Sequence, residues 1–115
     1  MTDPCLFCSI VARDIPADIV YETDAVIAFR DIGPQAPVHI LVIPKRHIPS
    51  LAQAAVEDAE LMGEVLLAVR EVAEREGLAD AGFRTVLNTG DDGGQTVHHL
   101  HAHVLGGRGL GWPPG

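Results

Sequence analysis

The 115-residue sequence has no apolar run approaching the roughly 20 residues that span a bilayer. A membrane-crossing helix is therefore not expected. Its start, Met1-Thr2-Asp3-Pro4, has neither the basic stretch nor the apolar core of a secretory signal, and a cytoplasmic location is the expectation. Basic residues are scarce: eight Lys and Arg stand against 16 Asp and Glu, a formal net charge of −8. Proteins that track a nucleic-acid backbone present a basic face, so nucleic acid is not an expected partner. A small anionic ligand stays open, because a local site can oppose the global sign. Internal repeats, linkers and low-complexity tracts are missing, and the length suits one core rather than two. One domain over residues 1–115 is expected. Cysteine is limited to Cys5 and Cys8. In a cytosolic chain their C-x-x-C spacing reads as metal or redox chemistry before it reads as a structural disulfide.

What is present alternates between short apolar runs and one long periodic segment. Leu6, Ile10 and Val11 sit at loose helical spacing, with Asp3 as a candidate N-cap, Pro4 at the first helical position and Pro16 as a stop. A short helix over Cys5 to Arg13 follows. Ile19-Val20-Tyr21 and Ala25 to Phe29, joined by Glu22-Thr23-Asp24, read as a hairpin. Asp31 to Pro37 holds two prolines and a glycine, and reads as a loop. Val38 to Ile43 is a nearly unbroken β-branched run, as expected of a central strand buried on both faces, ended by Pro44. From Glu57 to Arg75, Leu61, Val65, Ala68, Val69 and Val72 recur at three- and four-residue steps, and Gly77 supplies a C-terminal stop. Phe83 to Leu87 is a further strand. The resulting order predicts an α+β fold: a five-stranded antiparallel sheet, with one long and one short helix packed on one face. The tail carries the single tryptophan, Trp112, outside any element able to bury it.

Four of the six histidines lie within His98-His99-Leu100-His101-Ala102-His103. On a strand, His99, His101 and His103 share one face while Leu100, Ala102 and Val104 take the other. On a helix they would spread over about 200° and could not converge. The spacing therefore predicts a strand bounded by Gly93-Gly94 and Gly106-Gly107, with three imidazoles on one side. Metal ligation, acid–base or nucleophilic catalysis and pH sensing are the uses of such a cluster. His98 faces away and is set aside as a surface residue. Just upstream, Gly93-Gly94-Gln95-Thr96 can present backbone N–H groups and a hydroxyl to an anion. Beside an imidazole that attacks phosphorus, such donors hold the developing charge.

His99-Leu100-His101-Ala102-His103-Val104-Leu105 resembles the signature of the histidine triad (HIT) superfamily. Asp31-Ile32, Pro34-Gln35-Ala36-Pro37, Leu41-Val42-Ile43-Pro44-Lys45, Gly93 to Val97 and the Trp112-Pro113-Pro114-Gly115 ending look like its Hint branch. The resemblance implies a HIT-like fold and a homodimeric purine nucleoside phosphoramidase acting on adenosine 5′-phosphoramidates or acyl adenylates. It implies His101 as nucleophile toward the α-phosphorus and His103 as a hydrogen-bonding partner of the phosphate. His99 would be a positioning member of the triad, His39 a support for its tautomers, and Thr96 a helper at the phosphate or leaving group. Serine is usual at that last position; threonine keeps the hydroxyl and adds a methyl. Asp31 would accept the ribose hydroxyls. Phe7, Ile15, Phe29, Ile32 and Leu41 would enclose the base, with Asn88, Gly94, Gln95, Thr96 and Val97 near the phosphate. Trp112 would reach toward the partner subunit's site. Core packing is the other reading of the five apolar positions.

The C-x-x-C pair resembles bacterial HIT proteins that bind structural zinc. That resemblance implies Cys5, Cys8, His47 and His99 as ligands; a pair of reduced thiols is the alternative. No cofactor is implied for the chemistry itself. Two other functions stay open: a nucleotide-binding regulatory module with little turnover, and a dinucleoside polyphosphate hydrolase, against which the Trp-Pro-Pro-Gly ending argues.

Overall fold

The computed structural model describes residues 5–115, and the expected Asp3–Pro4 start of the first helix lies outside them. Helix α1 runs Leu6–Val11, and Cys5 caps it by accepting the Cys8 N–H on its sulfur at 3.3 Å. Strands β1 (Ile19–Glu22) and β2 (Val26–Arg30) form the expected hairpin. Its turn is closed by Thr23, whose hydroxyl accepts the N–H groups of Ala25 and Val26 at 3.3 and 3.1 Å. Strand β3 (Val38–Pro44) follows, then two single 3-10 turns at Leu51–Gln53 and Val56–Asp58, then helix α2 (Ala59–Arg75). The expected helical start at Glu57 falls in the second 3-10 turn. Helix α2 ends in a Schellman motif. Gly77 has φ +73°, its N–H reaches the Glu74 carbonyl at 3.1 Å, and the Leu78 N–H reaches the Ala73 carbonyl at 2.9 Å. Strands β4 (Phe83–Val86) and β5 (Ala102–Gly106) complete a five-stranded antiparallel sheet in the order β1-β2-β3-β5-β4.

Period-2 alternation divides the sheet into two faces. Val26, Ala28, Ile40, Val42, Ala102 and Val104 pack against Val65, Ala68, Val69, Val72 and Ala73 of α2. Ile27, Phe29, Leu41 and Ile43 face the other way and pack against Phe7 and Ile10 of α1. The two helices thus lie on opposite faces, not on one as the element order suggested. The reason is visible in β2 and β3, which carry apolar side chains on both sides and leave two surfaces to cover. The central strand is β3, buried from His39 to Pro44.

The histidine segment also departs from expectation. Only Ala102–Gly106 is strand, so His103 lies in β5 while His99 and His101 belong to the segment leading into it. The β3–β5 ladder stops at Val42↔Ala102. Beyond it Pro44 has no N–H to donate, and its carbonyl is taken by the His99 ring at 2.8 Å. The Leu100 N–H turns instead to the Ile48 carbonyl at 2.6 Å.

Candidate functional site

The α1 face of the sheet carries a cavity of about 300 Å³, at the lower end of small-molecule sites. Its wall includes Phe7, Ile15, Phe29, Asp31, Ile32, Leu41, Thr96, Val97, His101 and His103, ten of the residues singled out in the sequence. Leu6, Ile10, Pro16 and Ala17 also line it. The sequence signal for Leu6 and Ile10 was there in the three- and four-residue spacing of α1, but a six-residue helix shows too little period to say which face is inward. Asn88, Gly94, Gln95 and Trp112 are not in the wall. Trp112 is 82% exposed, in a tail tied down where Arg84 donates to the Gly111 carbonyl at 2.7 Å. His98 is exposed, as expected.

Gln95 is buried and acts on the loop rather than the cavity. Its amide NH2 donates to the carbonyls of Pro49 at 2.7 Å and Val97 at 3.0 Å, and its carbonyl accepts the Gly90 N–H at 3.1 Å. Three backbone strands of loop are thereby held by one side chain beneath Thr96. Gly93 and Gly94 have different reasons to be glycine. A Cβ on Gly93 would lie 2.3 Å from the Thr89 carbonyl oxygen, whereas Gly94 has open space but φ +80°.

Backbone partners set the protonation of each ring. His101 Nδ1 lies 2.8 Å from the His99 carbonyl. A carbonyl only accepts, so Nδ1 carries the hydrogen, and in the neutral imidazole Nε2 keeps its lone pair. His39 Nδ1 accepts the Gln35 N–H at 3.0 Å, so His39 Nε2 is protonated and donates to His103 Nδ1 at 2.8 Å. That contact is possible because His39 pairs with Leu105 and His103 with Leu41, which makes the two histidines diagonal neighbours on one face. Neutral His103 must then carry its hydrogen on Nε2. Among the described residues this is the one buried side-chain nitrogen or oxygen with no partner. The result is an unprotonated nitrogen on His101 beside an unfilled N–H donor on His103, with ring centroids 5.0 Å apart.

Electrostatics disfavour the charged form of His39, His99 and His103. Burial pushes His103 down to about 4, reinforced by His101 and His39 and opposed by the Asp31 carboxylate. Burial likewise lowers His39, again opposed by Asp31. Burial dominates at His99, where the Pro44 carbonyl opposes it.

The first histidine of the motif serves a different cluster. With Nε2–H committed to Pro44, His99 Nδ1 faces Cys5 Sγ at 3.3 Å, Cys8 Sγ at 3.5 Å and His47 Nδ1 at 3.1 Å. Cys8 Sγ lies 3.4 Å from His47 Nδ1. The four donor atoms all fall within 4.8 Å of one another. Bond lengths of about 2.0–2.1 Å to nitrogen and 2.3 Å to sulfur imply tetrahedron edges of about 3.3–3.8 Å, so this set can hold a metal ion. Burial and the adjacent Cys5 push the Cys8 thiol up to about 11, a cost that a bound cation offsets. A second group, Asp31, His39 and His103, is also compact. Its 2.8 Å His39–His103 separation is that of a hydrogen bond and shorter than an edge between two ligands of one ion.

An apolar cavity whose wall also carries the Asp31 carboxylate and the oriented imidazoles of His101 and His103 defines a small-molecule site. The family comparison agrees with that class. The HIT domain model matches residues 12–110, and the chain belongs to this family. It is similar to a HIT-like protein of Synechococcus elongatus, 58% identical over 115 residues and covering all of both chains. It is also 47% identical over 111 residues to the purine nucleoside phosphoramidase of Escherichia coli, covering 96% of this chain and 93% of that one. The crystal structure of a HIT family hydrolase from Legionella pneumophila superposes with a TM-score of 0.96 at 47% identity, covering 97% of this chain and all of the other.

Proposed function

We propose that this protein, a single HIT domain over residues 1–115, hydrolyses purine nucleoside 5′-phosphoramidates and acyl adenylates at the α-phosphorus. The observation that carries the reading is the pair of free ring nitrogens, His101 Nε2 as a base-form nucleophile and His103 Nε2–H as an unfilled donor. The base lies in the apolar cavity between Phe7, Ile15, Phe29, Ile32 and Leu41, and the ribose hydroxyls meet Asp31. His101 Nε2 forms a bond to phosphorus as the bond to the leaving nitrogen or acyl oxygen breaks. His103 donates to a phosphate oxygen, and Thr96 assists at the phosphate or leaving group. Water then cleaves the nucleotidyl-imidazole to release the nucleoside monophosphate and restore His101. The relative named purine nucleoside phosphoramidase supports this substrate class.

Cys5, Cys8, His47 and His99 would hold zinc, for which two thiolates and two imidazoles are a closed tetrahedral set. When bound it supplies positive charge and a cross-link; no step of the reaction passes through it. It ties α1 to the segment that carries His101, so its role is structural. A homodimer in the cytoplasm completes the reading. It is supported by Leu66 and Leu67 on α2, Phe83 on the edge strand and Trp112 in the tail, all of which are exposed. Among the described residues no helix is long and apolar enough to cross a membrane.

The test is mass spectrometry of protein quenched during turnover of adenosine 5′-phosphoramidate. A nucleotidylated protein is expected in wild type and absent in His101→Ala, which also loses turnover while retaining AMP binding. Retained turnover in that variant refutes the reading. Tight AMP binding with negligible wild-type turnover replaces it by a nucleotide-binding regulatory module.

A further inference from the structure

Asp31 sits at the end of β2, and its two carboxylate oxygens do different work. Oδ1 accepts the Gly33 N–H at 2.8 Å, which fixes the turn leaving the strand. Oδ2 lies 3.5 Å from His39 Nε2, the same atom that donates to His103 Nδ1 at 2.8 Å. The Asp31 N–H bonds the His39 carbonyl at 3.0 Å, so backbone as well as side chain hold the two residues together. The imidazole side of this contact is 4% exposed and the carboxylate side 21%, which limits solvent screening between them. A sugar ligand alone does not require a carboxylate oxygen aimed at a buried ring.

We propose that Asp31 is a positioning residue for the His39–His103 pair, so that the carboxylate receiving the sugar hydroxyls also holds the proton arrangement of the phosphate-side histidines. Only the sugar half of this statement rests on the nucleotide reading above. The negative oxygen reinforces the hydrogen that the Gln35 N–H places on His39 Nε2, which obliges His103 Nδ1 to accept and leaves His103 Nε2–H free. Sugar hydroxyls that donate to Asp31 draw on the same lone pairs and charge. Binding at the sugar end is thereby felt at the phosphate end, through one side chain and one imidazole. The other titratable group facing His103 is His101, from its own segment. The strand neighbours Leu41 and Val86 and the α1 residue Phe7, which faces the His101 ring, are uncharged.

The test uses the ligand-free full chain and Asp31→Asn, in which an amide oxygen can still accept the Gly33 N–H while the charge is gone. Nitrogen-15 NMR of the imidazoles reads tautomer and titration midpoint, with the exposed His98 as internal reference. The His39–His103 midpoint is expected to fall by about half a pH unit or more, while the Gln35 N–H keeps the Nε2–H tautomer on His39. A midpoint shift under about 0.2 unit overturns the proposal. Kinetics then separate the roles. A carboxylate that served only the sugar would make no difference with a 2′,3′-dideoxy phosphoramidate. The proposal expects kcat on that substrate still to fall about fivefold or more in Asp31→Asn. Equal kcat for the two proteins on it also overturns the proposal. If wild type cleaves no phosphoramidate at all, the functional reading fails while the ligand-free spectra still decide the Asp31–His39 link.

Discussion

Acid should weaken this fold through His103, and the size of the effect follows from the site. The imidazole is held neutral, its folded value pushed down to about 4 by burial and by His101 and His39. An unfolded chain returns it to about 6.5. The group binds its proton more readily when unfolded, so its contribution to stability is complete above pH 6.5, drains away as the pH falls from 6.5 to about 4, and is constant below. At about 1.36 kcal/mol per unit, that gap corresponds to about 3.4 kcal/mol. Solvent reaches part of the ring, which reduces the expectation to about 2–3 kcal/mol. The comparison is wild type against His103→Asn, whose Oδ1 still offers His39 Nε2–H an acceptor. Urea unfolding of both proteins, matched in metal content, is measured from pH 7 to pH 4. The wild-type advantage should shrink by about 2–3 kcal/mol over that range. Titrating groups that do not face His103 are common to both chains and cancel, leaving His103 together with its partners His39 and His101. A flat difference curve, or one that rises toward acid, would falsify the account of His103 as a buried neutral donor.

Elemental analysis of protein purified without added metal should find one zinc per chain. Cys8→Ser should lose it and unfold at least about 5 °C lower; zinc-free wild type of unchanged Tm would exclude the site. Truncating Gln95 to alanine removes a buried clamp on Pro49, Gly90 and Val97, at a cost of about 2–4 kcal/mol by thermal or urea unfolding. The two adjacent glycines should respond differently. Gly93→Ala drives a Cβ against the Thr89 backbone and should displace the loop and depress turnover, whereas Gly94→Ala meets only the φ penalty of about 1–2 kcal/mol. Equal losses in the two variants would contradict the packing argument at Thr89.

Much of the site was legible because its residues are close in sequence or chemically unusual. The run from His99 to His103, the C-x-x-C pair and the Gly93-Gly94 turn announce themselves by type and spacing. The β-branched run of β3 and the Val65-Ala68-Val69-Val72 stripe identify a buried strand and its covering helix by period alone. Local pattern failed where a distant group intervened. The histidine strand is shorter than its alternation suggested because Pro44, 55 positions before His99, cannot continue the ladder and offers its carbonyl to the ring. Gln95 sits in the motif beside Thr96, yet its side chain is consumed by Pro49, 46 positions away. The second helix-covered face leaves no local mark for a similar reason. A strand buried on both sides reads the same whichever helices cover it.

The sequence by itself determined the five strands, the long helix and the identity of the chemical groups, because these depend on side-chain type and on periods of two and 3.6 residues. Tertiary structure alone decided what each imidazole does. A ring's free nitrogen is the one its partners leave over, and those partners are the carbonyls of Pro44 and His99 and the N–H of Gln35. The same packing joined Cys5 and Cys8 to His99, more than 90 positions away in the chain. That gave three like residues three different settings: a thiol and imidazole cluster able to hold a metal, a nitrogen free of protein partners and an unfilled hydrogen donor.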